Sequence, residues 1–185
     1  MKKFLFSLFS FALLSLSNQA FSQISRTFMS VPGSTGFDGG VTAIGYQNSI
    51  EVFSYSDGMQ ACAQTSTRST SQVTNCSPIY SGFYFMIQLS PAISAFQKAL
   101  LQGKALTVDV TQVKNVGGTY KATYLIHMEN VIVTSLQAGA GGDTPNFTVQ
   151  LQPAKIRWTV TSQNDDGSQG ASYVTGWDFI KNVAY

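Results

Sequence analysis

The sequence has few charged residues and a single histidine, and this scarcity removes several classes of function. Asp, Glu, Lys and Arg make up 11% of the 185 residues, whereas about a quarter is usual in soluble proteins. His127 has no second histidine with which to build a metal site. A serine nucleophile would need His127 and a G-x-S-x-G turn, and no such pentapeptide occurs. We therefore predict a protein that is not an enzyme and has no catalytic, metal-binding or cofactor-binding residues.

Two other motifs are interpreted as turns rather than as ligand sites. Asp165 and Asp166 are adjacent, so their carboxylates point apart, and their spacing is not that of a calcium-binding loop. The glycine-rich residues 139–142 lack the lysine and the helix start of a phosphate-binding loop. Strand alternation makes His127 a surface or interface residue. A domain of this kind is expected to work by binding or by assembly.

Long apolar runs are also absent, apart from one at the N-terminus. Lys2 and Lys3 precede the apolar residues 4–16, and the small residues Ala20 and Ser22 follow. This order is typical of a cleavable signal peptide, and the run is shorter than the roughly 20 residues that a membrane anchor needs. We predict a signal peptide over residues 1–22, followed by one domain over residues 23–185. The mature protein is expected to be exported, either periplasmic or extracellular, with no membrane partner.

The excess of positive charge belongs to the signal peptide. Removal of Lys2 and Lys3 lowers the number of basic residues from 11 to 9, which equals the number of acidic residues. The mature chain therefore carries no net charge, and this argues against nucleic acid as a partner. A neutral surface with few charges favours association with other protein surfaces.

The sequence contains only two cysteines, Cys62 and Cys76, and both lie in one polar segment. Because an oxidising compartment permits pairing, we predict a disulfide between them. Two buried free thiols are the alternative. A redox site is disfavoured because the two cysteines do not form a C-x-x-C motif.

Short segments rich in β-branched and aromatic residues alternate with turn residues, which predicts an antiparallel, mostly β domain that forms a barrel or sandwich. The clearest predicted strands are residues 27–31, 49–56, 82–89, 106–113, 120–127, 130–136, 147–151 and 156–162. One short helix is predicted from Pro91 to Gln102, with Ser90 as its N-cap and Gly103 at its end. Two long loops, residues 32–48 and 57–81, complete the domain.

Several segments resemble the Hcp family, the inner-tube proteins of bacterial type VI secretion systems. The stretch from Ile50 to Gly58, which contains Glu51, resembles the second strand of the family, and residues 90–104 resemble its single helix. Residues 124–135 are similar to its central strand pair. The most specific residues lie in the last thirty positions: Trp158, Gly176, Trp177, Asp178 and Asn182.

The resemblance implies a β-barrel protomer that assembles into hexameric rings, stacks into a hollow tube and holds small protein cargo in the lumen. It also implies that residues 57–81 project toward the neighbouring ring, and that Gly176, Trp177 and Asp178 are fold and ring-contact residues. Two features depart from the family: the signal peptide and the loop that carries Cys62 and Cys76. An exported Hcp-like binding module or monomeric effector is the alternative function.

Overall fold

The structure is a computed structural model that describes residues 25–60, 77–140, 144–164 and 167–185. These residues form one helix and ten strands. The strands are β1 (Ser25–Ser30), β2 (Ile50–Val52), β3 (Ser54–Gln60), β4 (Ile79–Gln88), β5 (Leu106–Val116), β6 (Thr119–Gly139), β7 (Asn146–Gln152), β8 (Lys155–Gln163), β9 (Gln169–Asp178) and β10 (Val183–Ala184), and the helix is α1 (Ala92–Gln102). The predicted signal peptide and both cysteines, Cys62 and Cys76, lie outside the described residues.

The seven strands β1 to β7 close into an antiparallel barrel. β1 pairs with β2 and β5, β5 pairs with β6, β6 with β7, and β7 with β4. Phe53 separates β2 from β3, and its amide donates to the carbonyl of Met86 on β4 over 2.9 Å. This bond closes the circuit, because β3 continues the pairing along β4. The predicted mostly β, antiparallel fold is therefore confirmed.

Strand β6 takes part in both the barrel and a second ribbon. Its first half pairs with β8, and its second half pairs with β7 on the same side. Asn130 has a φ of 50° at the junction, and the carbonyls of Glu129 and Asn130 both lie within 3.3 Å of the Ala154 amide nitrogen. The prediction of two strands here, residues 120–127 and 130–136, is wrong, because the chain bends at Asn130 without leaving the sheet.

The core lies inside the barrel and under the helix. Phe96 of α1 is fully buried, with its ring centroid 5.5 Å from that of Phe85 and 4.9 Å from that of Phe37. The helix ends at Gly103, as predicted, because that residue adopts the left-handed conformation. The predicted N-cap is wrong: the backbone carbonyl of Ser90, not its hydroxyl, accepts the bond from the Ile93 amide.

The two long loops differ from each other. Between β1 and β2 the chain forms no helix or strand, as predicted, but Val41 and Tyr46 pack on Phe28 and form a small second core. The prediction that residues 57–81 form a loop is wrong at both ends. Residues 57–60 belong to β3 and residues 79–81 belong to β4, so the hairpin extends further than its polar sequence suggested.

Strands β9 and β10 were missed by the sequence analysis. β9 is exposed on both faces over most of its length, so it lacks the alternation that marks a half-buried strand. β10 has only two residues and pairs with the last two residues of β9. Within the described residues, no helix is long and apolar enough to cross a membrane.

Candidate functional site

The candidate functional surface is built around the end of the chain, where four of the predicted signature residues lie together. Asp178 is only 3% exposed, and its Oδ1 accepts bonds from the amides of Ile180 and Lys181 at 3.0 and 2.9 Å. Asn182 has a φ of 56° and reverses the chain into β10. Asp178 and Asn182 therefore fold the last residues back onto β9, which we call the C-terminal return (residues 178–185).

Gly176 permits the close approach of this return. The Tyr185 amide donates to the carbonyl of Gly176 over 3.3 Å. A Cβ at position 176 would lie 2.5 Å from the carbonyl oxygen of Tyr185, which is too short for any side chain. Trp177 pairs with Ala184 of β10. The indole N–H of Trp177 and the side-chain oxygen of Asn182 are buried without a hydrogen-bond partner.

Trp158, another signature residue, lies on β8 beside this region and contacts the opposite hairpin. Its Nε1 donates to Oδ2 of Asp57 over 2.9 Å, and its side chain is buried. Burial, and then the neighbouring carboxylate of Asp57, raises the pKa of Tyr80. Burial and Asp57 likewise raise the pKa of Tyr124 to about 12. Asp57, which the sequence analysis did not single out, thus lies at the centre of an aromatic cluster.

The remaining two signature residues lie elsewhere in the barrel. Both carboxylate oxygens of Glu51 accept bonds from the Arg26 guanidinium at 2.7 Å, and Arg26 also donates to the hydroxyl of Tyr120. Gly58 lies opposite Gly82 on the β3–β4 hairpin, next to a register shift. Glu51 therefore joins β1 to β2, and neither Glu51 nor Gly58 belongs to the C-terminal return.

The single histidine belongs to a polar row on the outer face of the sheet. Nδ1 of His127 lies 2.5 Å from Oδ1 of Asp109, and Nε2 lies 3.5 Å from Oε1 of Glu129. The side chain of His127 is 20% exposed, so it is half-buried rather than a freely exposed surface residue. A cleft of about 540 Å³ separates this row from residues 45–49. In the described ranges, no group of three or more His, Cys, Asp or Glu side chains is placed to hold a metal ion.

The outer part of the β8–β9 ribbon carries uncovered apolar side chains. Tyr173 and Val174 are 68% and 59% exposed, and Val160, the cross-strand neighbour of Tyr173, is also exposed. β9 pairs with β8 along one edge, whereas β10 covers only residues 177 and 178 of the other edge. Among the described residues, nothing pairs with that second edge over residues 169–175. Such an edge can accept another strand.

Several solved structures share this fold. A type six secretion system protein has a TM-score of 0.75 and is 20% identical, with 88% of this chain and 100% of that chain covered. Hcp1 from Salmonella typhimurium has a TM-score of 0.69 at 17% identity, covering 87% and 99%. The secreted protein Hcp3 from Pseudomonas aeruginosa has a TM-score of 0.59 at 15% identity, covering 84% and 99%. At these identities the likeness shows the fold alone.

The sequence comparison adds the family. No curated protein sequence matches the chain. The family profile described as "Type VI secretion system effector, Hcp" matches residues 28–160, which is well over half of the sequence. This match confirms the resemblance seen in the sequence, and it shows that the chain belongs to the Hcp family of type VI secretion system effectors.

Proposed function

We propose that the mature chain is a non-enzymatic structural subunit that assembles into hexameric rings, which stack and hold small protein cargo. Family membership makes it a tube-like protein of type VI secretion. The further steps, from tube-like protein to ring, stack and cargo, are our proposal for this chain. They are supported by one structural observation, which is the unpaired edge of β9.

The β9 edge has the properties of an interface between copies. Residues 169–175 offer backbone donors and acceptors along one side, and Tyr173 and Val174 expose apolar surface on the two faces of the same strand. A long exposed apolar edge promotes association unless a protein covers it. Here it lies in a chain whose net charge is close to zero, so little electrostatic repulsion opposes the approach of two copies.

Among the described residues, β3 offers a second free edge of matching length. β3 spans the seven residues Ser54–Gln60 and pairs only with β4 within the described residues. The free part of β9 also spans seven residues, 169–175. Pairing of β9 in one copy with β3 in the next uses two different surfaces, so the contact is head to tail. Such contacts close into a ring when the rotation from each copy to the next brings the last copy back to the first.

The proposed compartment follows from the signal peptide. With residues 1–22 removed, rings would form in the periplasm or outside the cell, separate from a tube assembled in the cytoplasm. A disulfide between Cys62 and Cys76 would stiffen the tip of the β3–β4 hairpin. Such stiffening reduces the conformational entropy that the segment loses when it contacts a neighbouring ring.

The test is the mass of the mature protein in solution, measured by light scattering after size-exclusion chromatography at micromolar concentration. We expect the wild type to elute near the mass of six protomers, and the Y173K/V174K variant to elute as a monomer with an unchanged melting temperature. Leu101→Lys is the control, because Leu101 is an apolar residue on α1 that is even more exposed than Tyr173 and Val174. A wild type that stays monomeric at high concentration would contradict ring assembly and favour the monomeric binding module.

A further inference from the structure

Ionisable side chains are scarce in this protein, yet five of them meet on one part of the sheet. They come from three strands and from the last residue of the chain: Asp109, His127, Glu129, Lys155 and Tyr185. The group connects the centre of the barrel wall to the C-terminal return. Of these side-chain types, imidazole is the one whose charge ordinarily changes near neutral pH.

The histidine lies between two carboxylates. Asp109 on β5 contacts Nδ1 at 2.5 Å, and Glu129 on β6 lies 3.5 Å from Nε2. Of the other charged groups that face it, Arg157 lies directly opposite on β8 and Lys155 reaches the far oxygen of Glu129. Tyr46, Gln47 and Ser49 of the β1–β2 loop line the adjoining cleft and carry no charge.

Glu129 links the histidine to the end of the chain. Its Oε1, which faces His127, also accepts a 3.4 Å bond from the hydroxyl of Tyr185. Its Oε2 lies 3.4 Å from Nζ of Lys155, which in turn lies 5.2 Å from the centroid of the Tyr185 ring. Burial by itself raises the pKa of Glu129, but Lys155 and His127 together outweigh burial and hold that pKa below its ordinary value.

The two protonation states of the imidazole fit this site differently. A neutral imidazole has one N–H. If that N–H points to Asp109, the lone pair of Nε2 faces the carboxylate of Glu129, which is unfavourable. A protonated imidazole donates from both nitrogens and satisfies Asp109 and Glu129 at once.

We propose that His127 is a proton-controlled clasp for the C-terminal return: when protonated it bridges Asp109 and Glu129 and so fixes Tyr185 and β10 against β9. When the proton leaves, Glu129 loses a donor and the return is held less firmly. Because β10 covers residues 177 and 178, its release extends the free edge of β9 from residues 169–175 to the end of the strand. This last consequence, for assembly, rests on the proposed function.

The test is a pH titration of the mature protein between about pH 5 and 8, with two readouts. The ring signals of the only histidine report its protonation by NMR. Exchange of the Tyr185 amide, corrected for the intrinsic effect of pH, reports how firmly the return is held. We expect Tyr185 protection to fall by about two- to fivefold as pH rises, the range for a half-exposed ion pair, with the same midpoint as the ring signals.

Two variants make the result decisive. His127→Gln should leave Tyr185 protection independent of pH in this range, and Tyr185→Phe should remove the pH dependence while His127 still titrates. Constant Tyr185 protection across the histidine titration, or an unchanged pH dependence in His127→Gln, would overturn the proposal. Both readouts are made on dilute protein and do not depend on assembly. If the clasp works but the chain never assembles, only the proposed ring is contradicted.

Discussion

The indole nitrogen of Trp158 donates a 2.9 Å hydrogen bond to the carboxylate of Asp57, 101 positions earlier in the chain. The bond joins the β8–β9 ribbon to the β3–β4 hairpin, two pairs of strands that share no backbone hydrogen bonds among the described residues. Tyr80 and Tyr124 lie close enough to Asp57 for its charge to raise the pKa of both. Asp57 thus adds a direct link between two parts of the domain that the sheet connects only indirectly, through β6 and β7.

Substitution of Asp57 by Ala should destabilise the fold. The N–H of Trp158 would remain buried without an acceptor, which costs about 1 to 3 kcal/mol. Denaturant unfolding of the mature protein measures the change in the free energy of unfolding. Asp57→Asn, which keeps an acceptor oxygen, should lose less, and Ser56→Ala on the exposed side of the same strand should be neutral. Equal losses in Asp57→Ala and Ser56→Ala would contradict this role.

Stability should also fall at alkaline pH because of the buried tyrosines. Burial and Asp57 raise the pKa of Tyr124 from 10.0 to about 12 and raise that of Tyr80 as well. An unfolded chain releases these phenol protons first, so the stabilisation is fully present below pH 10 and is lost as pH rises toward 12. Free energies of unfolding measured from pH 9 to 11.5 should decline, and they should decline less steeply in Tyr124→Phe.

Gly176→Ala should displace the C-terminal return. The new Cβ would lie 2.5 Å from the Tyr185 carbonyl oxygen, a backbone atom directly after the β9–β10 pairing, so the end of the chain would have to shift. We expect a loss of about 1 to 3 kcal/mol, as for other overpacked sites, together with faster amide exchange at residues 183–185. Gly139→Ala is the matched control, because its nearest neighbour would be 3.8 Å away. Unchanged exchange in Gly176→Ala would show that the return is free to adjust.

The mass of the exported protein tests both the removal of the predicted signal peptide and the predicted disulfide. We expect the mature chain to begin at Gln23 and to resist thiol alkylation until it is reduced, because Cys62 and Cys76 are paired. Cys62→Ser should leave Cys76 open to alkylation without reduction. A chain that still carries residues 1–22, or one that is alkylated twice without reductant, would contradict the corresponding prediction.

The sequence predicted those parts of the fold in which one face of a strand is buried. β5 and β7 alternate buried side chains with less buried ones, and that alternation is visible in their residues. β9 was missed because Tyr173 and Val174 are both exposed, so burial imposes no pattern on them. The bend at Asn130 was misread because asparagine tolerates positive φ and is common in turns, whereas here its positive φ bends the chain inside one continuous strand.

The residues of the candidate functional surface were selected by resemblance and not by local chemistry. Gly176, Trp177, Asp178 and Asn182 were selected as signature residues, but only the structure shows that they build one return of the chain. The contact between Asp57 and Trp158 leaves no trace in the sequence, since neither neighbourhood is unusual by itself. The same is true of the link from His127 through Glu129 to the last residue.

The double membership of β6 has a consequence for how the domain melts. The half of this strand before Asn130 pairs with β5 of the barrel and with β8 of the ribbon, the half after it pairs with β7 of the barrel, and no loop separates the two halves. If either half unfolded, the strands paired with it would lose their backbone hydrogen-bond partners, and the sheet that includes the other half would be disrupted. Neither half can therefore unfold as an independent unit. Calorimetry of the protomer should therefore show a single cooperative transition, with equal calorimetric and van't Hoff enthalpies.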